Sequence, residues 1–183
     1  VILLLDTSGS MEGDKIKNAV DSSVSFVERL APDDEVYVVT FGGGSVIQLS
    51  QGGRAGDVAE RLTQTLRGLY ADGNTPLYDG LCQATQLVDQ LKAAHLAQGE
   101  RRLYGIVLLS DGEDTSSTIT QNQMFNCLPS GEDVEGVKVF TIAYGDGADT
   151  DLMLRIANRT NASTFKGDPA SIERIYNAIS AEQ

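Results

Sequence analysis

Histidine, cysteine and basic side chains are scarce in this chain, and each scarcity removes a class of function. The 183 residues contain a single histidine, His95. A Ser-His-Asp relay needs an imidazole beside its nucleophile. His95 stands alone, late on an expected helix, and reads as a surface residue rather than a ligand. The two cysteines, Cys82 and Cys127, lack the close spacing of zinc ligands. Both fall in segments read as helical, and two readings stay open for them: buried free thiols, or a disulfide that would argue for an oxidising compartment. Only 14 Lys and Arg face 26 Asp and Glu, a formal charge of −12. Such a surface repels phosphate backbones and anionic lipid, which argues against a nucleic-acid partner. The chain carries no phosphate loop ending in Gly-Lys-Ser/Thr. No apolar run approaches the roughly 18 residues that span a bilayer, so no insertion into a membrane is expected within this segment.

What is present is the composition of a globular domain, 41% apolar and 22% charged, and residues 1–183 are read as one domain. The chain opens directly in a strand. A domain rarely starts its core at the first residue, so the segment is read as excised from a longer protein.

That opening strand carries the strongest signal. Val1 to Leu5 is five consecutive apolar residues, the pattern of a strand buried on both faces of a parallel sheet. The run stops at Asp6-Thr7-Ser8-Gly9-Ser10. In open α/β sheets ligands sit at the carboxyl ends of strands. Asp6, Ser8 and Ser10 alternate along an extended turn, which aims three oxygen side chains one way. A carboxylate with two hydroxyls suits a hard divalent cation. Ser8 or Ser10 is also expected to help cap the helix that follows.

Apolar residues at helical spacing (Ile16, Val20, Val24, Val27, Leu30) predict a helix over Glu12 to Leu30. Glu35 to Phe41 is rich in β-branched and aromatic residues and reads as a strand. Gly42-Gly43-Gly44 then allows a reversal into a short edge strand, Ser45 to Leu49. Val58, Leu62, Leu66 and Leu69 mark a second helix. A third runs from Leu77 through Leu91, with Pro76 in its first turn and Thr75 as its N-cap. Leu103 to Leu109 is another buried strand, and it ends in Ser110-Asp111-Gly112. Met124, Phe125 and Leu128 suggest a short helix before Pro129. Val137 to Tyr144 is a strand, Ala148 to Thr160 a helix and Ser163 to Lys166 a last strand. A final helix is capped by Asp168-Pro169 and carries Ile172, Ile175, Tyr176 and Ile179. This alternation predicts a doubly wound α/β fold: a mostly parallel six-stranded sheet, helices on both faces, one antiparallel edge strand.

On such a sheet three places converge at one edge: Asp6-x-Ser8-x-Ser10, the helix opening at Asn74-Thr75-Pro76, and Ser110-Asp111-Gly112. Taken singly, each is a capped turn. Taken together, the chain resembles a von Willebrand factor type A domain with a metal-ion-dependent adhesion site. That family's motif is Asp-x-Ser-x-Ser after the first strand, a Thr in a later loop and an Asp in a Ser-Asp-Gly turn. The one departure is Asn74, where a Gly often precedes the Thr. The resemblance covers essentially the whole chain, and the short loops suggest a bacterial or archaeal source. It implies a Rossmann-like fold and a metal held by Asp6, Ser8, Ser10, Thr75 and Asp111. Ser8 and Ser10 would bind through hydroxyl oxygen; Asp6, Thr75 and Asp111 would bind directly or through water. Gly9 and Gly112 would serve the turns. The expected ion is Mg2+, with Mn2+ or Ca2+ as variants. Hydroxyls donate no charge, so an ion with one carboxylate held back keeps net positive character. A partner protein's Asp or Glu would then complete the shell. The resemblance implies an adhesive or interaction module rather than an enzyme, placed outside the cytoplasm, with a final helix that shifts when ligand engages. A co-subunit of an ATPase or chelatase-type assembly is the alternative. A magnesium-dependent hydrolase of the haloacid dehalogenase type would need a second Asp where Ser8 stands. Glu12, Glu113 and Asp114 read as solvated rim charges, and Gly145 to Asp149 as a turn before a helix rather than a calcium loop.

Overall fold

The computed structural model describes residues 1–129, 136–167, 174, 175 and 177. Six strands form one sheet: β1 (Ile2–Asp6), β2 (Glu35–Gly42), β3 (Ser45–Arg54), β4 (Gly105–Ser110), β5 (Lys138–Ala143) and β6 (Thr164–Lys166). Their spatial order is β3-β2-β1-β4-β5-β6. All neighbours are parallel except β2 and β3, so the expected antiparallel edge is present. The helices are α1 (Asp14–Arg29), α2 (Ala55–Arg67), α3 (Leu77–Ala97), α4 (Gln121–Cys127) and α5 (Thr150–Arg159). A 3-10 turn, Gly9–Met11, precedes α1.

The alternation of side chains along each strand divides the core in two. Leu3 and Leu5 of β1 join Val36, Val38, Val107 and Leu109 against α1 and α2. Ile2 and Leu4 face the other way with Val39, Phe41, Ile106 and Leu108, against α3, α4 and α5. Both faces of β1 are thus dry, which is why the strand needs unbroken hydrophobicity. From β1 the chain winds to β2 on one side and later to β4 on the other. The crevice where winding reverses lies at the tips of β1 and β4.

Five readings change. The edge strand is ten residues long, Ser45–Arg54, not five. Gly52 and Gly53 lie in the strand. A Cβ on Gly52 would meet the Tyr37 ring at 2.1 Å, so the glycine lets β3 lie over an aromatic on β2. Thr75 does not cap α3. Pro76 takes the N-cap position and offers no side chain. The amide of Tyr78 donates instead to Ser117 Oγ at 3.0 Å and Asp114 Oδ1 at 3.2 Å, and that of Asp79 to Ser117 Oγ at 3.1 Å. Asp114 is therefore a half-buried cap rather than a solvated rim charge. Neither Ser8 nor Ser10 caps a helix through its side chain: the N-cap of α1 is Gly13, and Ser8, the N-cap of the 3-10 turn, accepts the Met11 amide only through its carbonyl. His95 is buried, not on the surface. Its Nδ1 lies 2.8 Å from Tyr104 Oη and its Nε2 3.2 Å from Glu35 Oε1, at the start of β2 and far from the strand tips.

The cysteine question closes as well. Cys82 on α3 and Cys127 at the end of α4 form a disulfide with Cα atoms 5.5 Å apart. Free thiols are thereby excluded for both. The expected turn before α5 is present, with Asp149 as N-cap accepting from the Leu152 amide at 2.9 Å. The final helix read over Asp168 to Ile179 lies outside the described residues, except that Ile175 is buried in the core against β1 and α1. Among the described residues no helix is long and apolar enough to cross a membrane.

Candidate metal centre

The site begins where β1 stops burying hydrocarbon. Asp6 is the last residue of β1 and is wholly buried. Its two carboxylate oxygens have separate tasks. Oδ1 accepts the Ser8 amide at 2.9 Å and the Ser8 hydroxyl at 2.5 Å. Oδ2 accepts the Ser110 hydroxyl at 2.6 Å, across to β4. Ser110 Oγ in turn accepts the Gly112 amide at 2.9 Å. Asp6 thus joins the β1 and β4 tips through charge-assisted bonds.

The serine pair has a fixed direction. Ser8 and Ser10 hydroxyls lie 3.1 Å apart. A hydroxyl carries one proton, and that of Ser8 goes to Asp6. Ser10 must then donate to Ser8 when these two bond. The chain Ser10 to Ser8 to Asp6 pulls protons inward and leaves hydroxyl lone pairs turned away from the carboxylate. Ser8 is buried and Ser10 exposed, so the site opens on the Ser10 side.

Burial holds the Asp6 carboxyl well above the usual carboxylate range, up to about 6, although Ser110 and Ser8 bonds oppose the shift; the nearby Asp111 charge adds to it. A cation beside this pocket would reverse the effect.

Asp111 completes the second strand tip. It is 3% exposed, its Oδ2 receives Lys15 Nζ at 3.0 Å, and its Oδ1 is buried with no hydrogen-bond partner. A buried carboxylate oxygen without a donor is expensive and points to a ligand that the chain itself does not supply. The backbone around Asp111 is pinned: its carbonyl accepts the Asp149 amide at 2.8 Å. Gly112 has φ +85°, and a Cβ there would lie 3.0 Å from the Asp149 carbonyl oxygen. Only glycine makes this turn without strain.

Thr75 is 2% exposed and reaches the same edge through its backbone. Its amide donates to Thr115 Oγ1 at 2.8 Å, and its carbonyl accepts the Thr115 amide at 2.9 Å. Two residues earlier, Gly73 carbonyl accepts the Gly9 amide at 2.9 Å. The three loops carrying Asp6-x-Ser8-x-Ser10, Thr75 and Asp111 are therefore tied to one another.

Among the described residues no group of three His, Cys, Asp or Glu side chains is placed to hold a metal. The set implied by the resemblance would offer two carboxylates and three hydroxyls, all hard oxygen. That set fits Mg2+, Mn2+ or Ca2+ better than a thiophilic ion. Two participants escape a reading of the sequence. Ser110 is visible in the Ser-Asp-Gly turn, but nothing in its spacing says it bonds Asp6. Lys15 lies in the first turn of α1, and its contact with Asp111 spans 96 residues.

Comparison with known proteins agrees with this architecture. The model of the von Willebrand factor type A domain matches residues 1–178. The pig inter-alpha-trypsin inhibitor heavy chain H4 is 30% identical over 115 residues, 63% of this chain and 12% of that protein. The chain thus spans a small fraction of that relative. A von Willebrand factor type A structure from Catenulispora acidiphila superposes with TM-score 0.76 at 19% identity, covering 98% of this chain and 41% of that one. Proximal thread matrix protein 1 from the mussel byssus, whose structure has a zinc-occupied MIDAS motif, superposes with TM-score 0.65 at 15% identity over 97% of this chain and 43% of its own. The family match extends over nearly every strand and helix described above, and the chain belongs to the von Willebrand factor type A domain family.

Proposed function

We propose that this domain is a divalent-metal-dependent protein-binding module. The cation would be held by Ser8 and Ser10 through hydroxyl oxygen, and by Asp6, Thr75 and Asp111 directly or through water. When bound, the metal supplies a Lewis-acidic position for a carboxylate from a partner protein. The observation that carries the reading is Asp111 Oδ1, buried without a donor just past the tip of β4.

Each residue's part follows from its bonds. Asp6 spends both oxygens on Ser8 and Ser110, so its role is to orient the serine hydroxyls and supply charge. Ser8 and Ser10 present neutral oxygen, which leaves the ion electropositive. The role is binding rather than catalysis. The lone imidazole sits at the far end of the sheet, so no histidine stands beside the serine hydroxyls to serve a Ser-His-Asp relay. The disulfide supports action in an oxidising, extracytoplasmic compartment.

The test is capture of a panel of peptides bearing a single Asp or Glu, each paired with its Asn or Gln counterpart, in Mg2+ and in excess chelator. Acidic peptides should bind in Mg2+ only, and Asp111→Ala should lose this capture while keeping its melting transition. Capture that is indifferent to chelator would refute the proposal.

A further inference from the structure

We propose that Lys15 is a resident counter-cation of the metal centre, holding Asp111 until a divalent ion displaces it. The inference rests on the metal-binding reading above and says how that site is kept when no divalent ion is bound.

Lys15 lies in the first turn of α1, directly after the serine loop. Its ammonium donates to Asp111 Oδ2 at 3.0 Å and to the Ser10 carbonyl at 3.0 Å. It thereby bridges two of the three loops that carry the candidate ligands. Its stem is seated by shape. A Cβ on Gly145 would come within 2.6 Å of Lys15 Cε, so the bare backbone after β5 forms the floor on which the side chain lies. The pairing is lopsided in exposure: Asp111's side chain is 4% exposed and that of Lys15 is 32% exposed. The carboxylate is fixed and dry, while the ammonium sits at the mouth and can swing out to water.

Charge explains why such a residue is needed. Asp6 and Asp111 are both buried at the tips of the paired strands β1 and β4, and two uncompensated carboxylates there repel. One ammonium offsets half of that charge. A divalent ion offsets all of it, and it bonds oxygen more strongly than an ammonium does. Metal uptake is then an exchange, in which Lys15 leaves Asp111 as the ion arrives. Its positive charge at the rim also opposes entry, so the resident lysine lowers affinity for the metal.

The experiment compares the wild-type domain with Lys15→Met, Lys15→Gln and Lys15→Arg, titrating Mn2+ alone after chelator treatment and reading both bound Mn2+ and the melting temperature. Removing the charge should tighten Mn2+ binding at least about tenfold. In chelator both neutral variants should melt below wild type, and saturating Mn2+ should erase that deficit. Lys15→Arg, which keeps the charge, should stay within a few fold of wild type in Mn2+ affinity. Equal or weaker Mn2+ binding by the neutral variants overturns the role given to Lys15 while leaving the metal reading intact. Absence of Mn2+ binding by all four proteins defeats the metal reading itself, and the exchange with it.

Discussion

Reducing the Cys82–Cys127 bond is the perturbation whose size is best defined. The bond closes a loop with a sequence separation of 45 residues, which contains most of α3, all of β4 and α4. Loop-closure entropy for that span gives about 4 kcal/mol at 25 °C, as an upper value for the loss on reduction. The lower side is set by α4. This helix has seven residues, with Met124 wholly buried and Leu128 just beyond it 3% exposed. Each apolar side chain kept out of water stabilises docking by about 2 kcal/mol, so α4 remains seated without the covalent tie. The reduced domain should therefore stay folded and lose about 2–4 kcal/mol, which for a chain of this length is a fall in Tm of roughly 10 °C. The assay is urea and thermal unfolding with and without a phosphine reductant, alongside Cys82→Ala/Cys127→Ala. Thiol titration of the native, air-purified protein should find no free cysteine. Midpoints that coincide with and without reductant, or two titratable thiols in the native protein, would refute the reasoning.

Ser110→Ala removes the donor to Asp6 Oδ2 and the acceptor of the Gly112 amide, both buried, and should cost about 2–4 kcal/mol in urea unfolding. Gly112→Ala forces a Cβ toward the Asp149 carbonyl at a positive φ, and should lower stability by about 1–3 kcal/mol and displace Asp111, visible as lost metal binding. In chelator, Asp6 should make stability fall as pH rises. Its folded-state pKa of about 6 lies above its unfolded value, so its contribution is full below about pH 4 and lost on passing pH 6. Urea midpoints between pH 4.5 and 7.5 should therefore fall less steeply in Asp6→Asn than in wild type, and parallel slopes would exclude the effect. Ser117→Ala strips the shared acceptor from the Tyr78 and Asp79 amides and should cost about 1 kcal/mol, read as faster hydrogen exchange in the first turn of α3.

The strands and helices were legible because burial leaves a periodic trace. Val1 to Leu5 announces a two-faced strand, and of the stripe on α1 Val20, Val24 and Val27 lie in the core while Ile16 and Leu30 pack partly buried against it. The positions of Asp6 and Asp111 at strand tips followed from that frame. What stayed hidden depends on partners far along the chain. His95 is buried because Glu35 and Tyr104 meet it, 60 and 9 residues away, and no local pattern records such a meeting. The cap of α3 comes from a loop 36 to 39 residues downstream, so the nearby Thr75 looked like the obvious candidate. Ser110 and Lys15 were in plain view, yet their partners stand 104 and 96 residues distant.

The span of the Asp6–Ser110 bond has a consequence for synthesis. The amino-terminal half of the domain emerges from the ribosome with its aspartate made but lacking the hydroxyl that steadies it, which β4 brings 104 residues later. A truncated or misthreaded chain cannot assemble this corner at all. Grip on a metal ion would therefore certify that the central pair of strands has zipped correctly, and a nascent domain would stay blind to cations until its middle had folded.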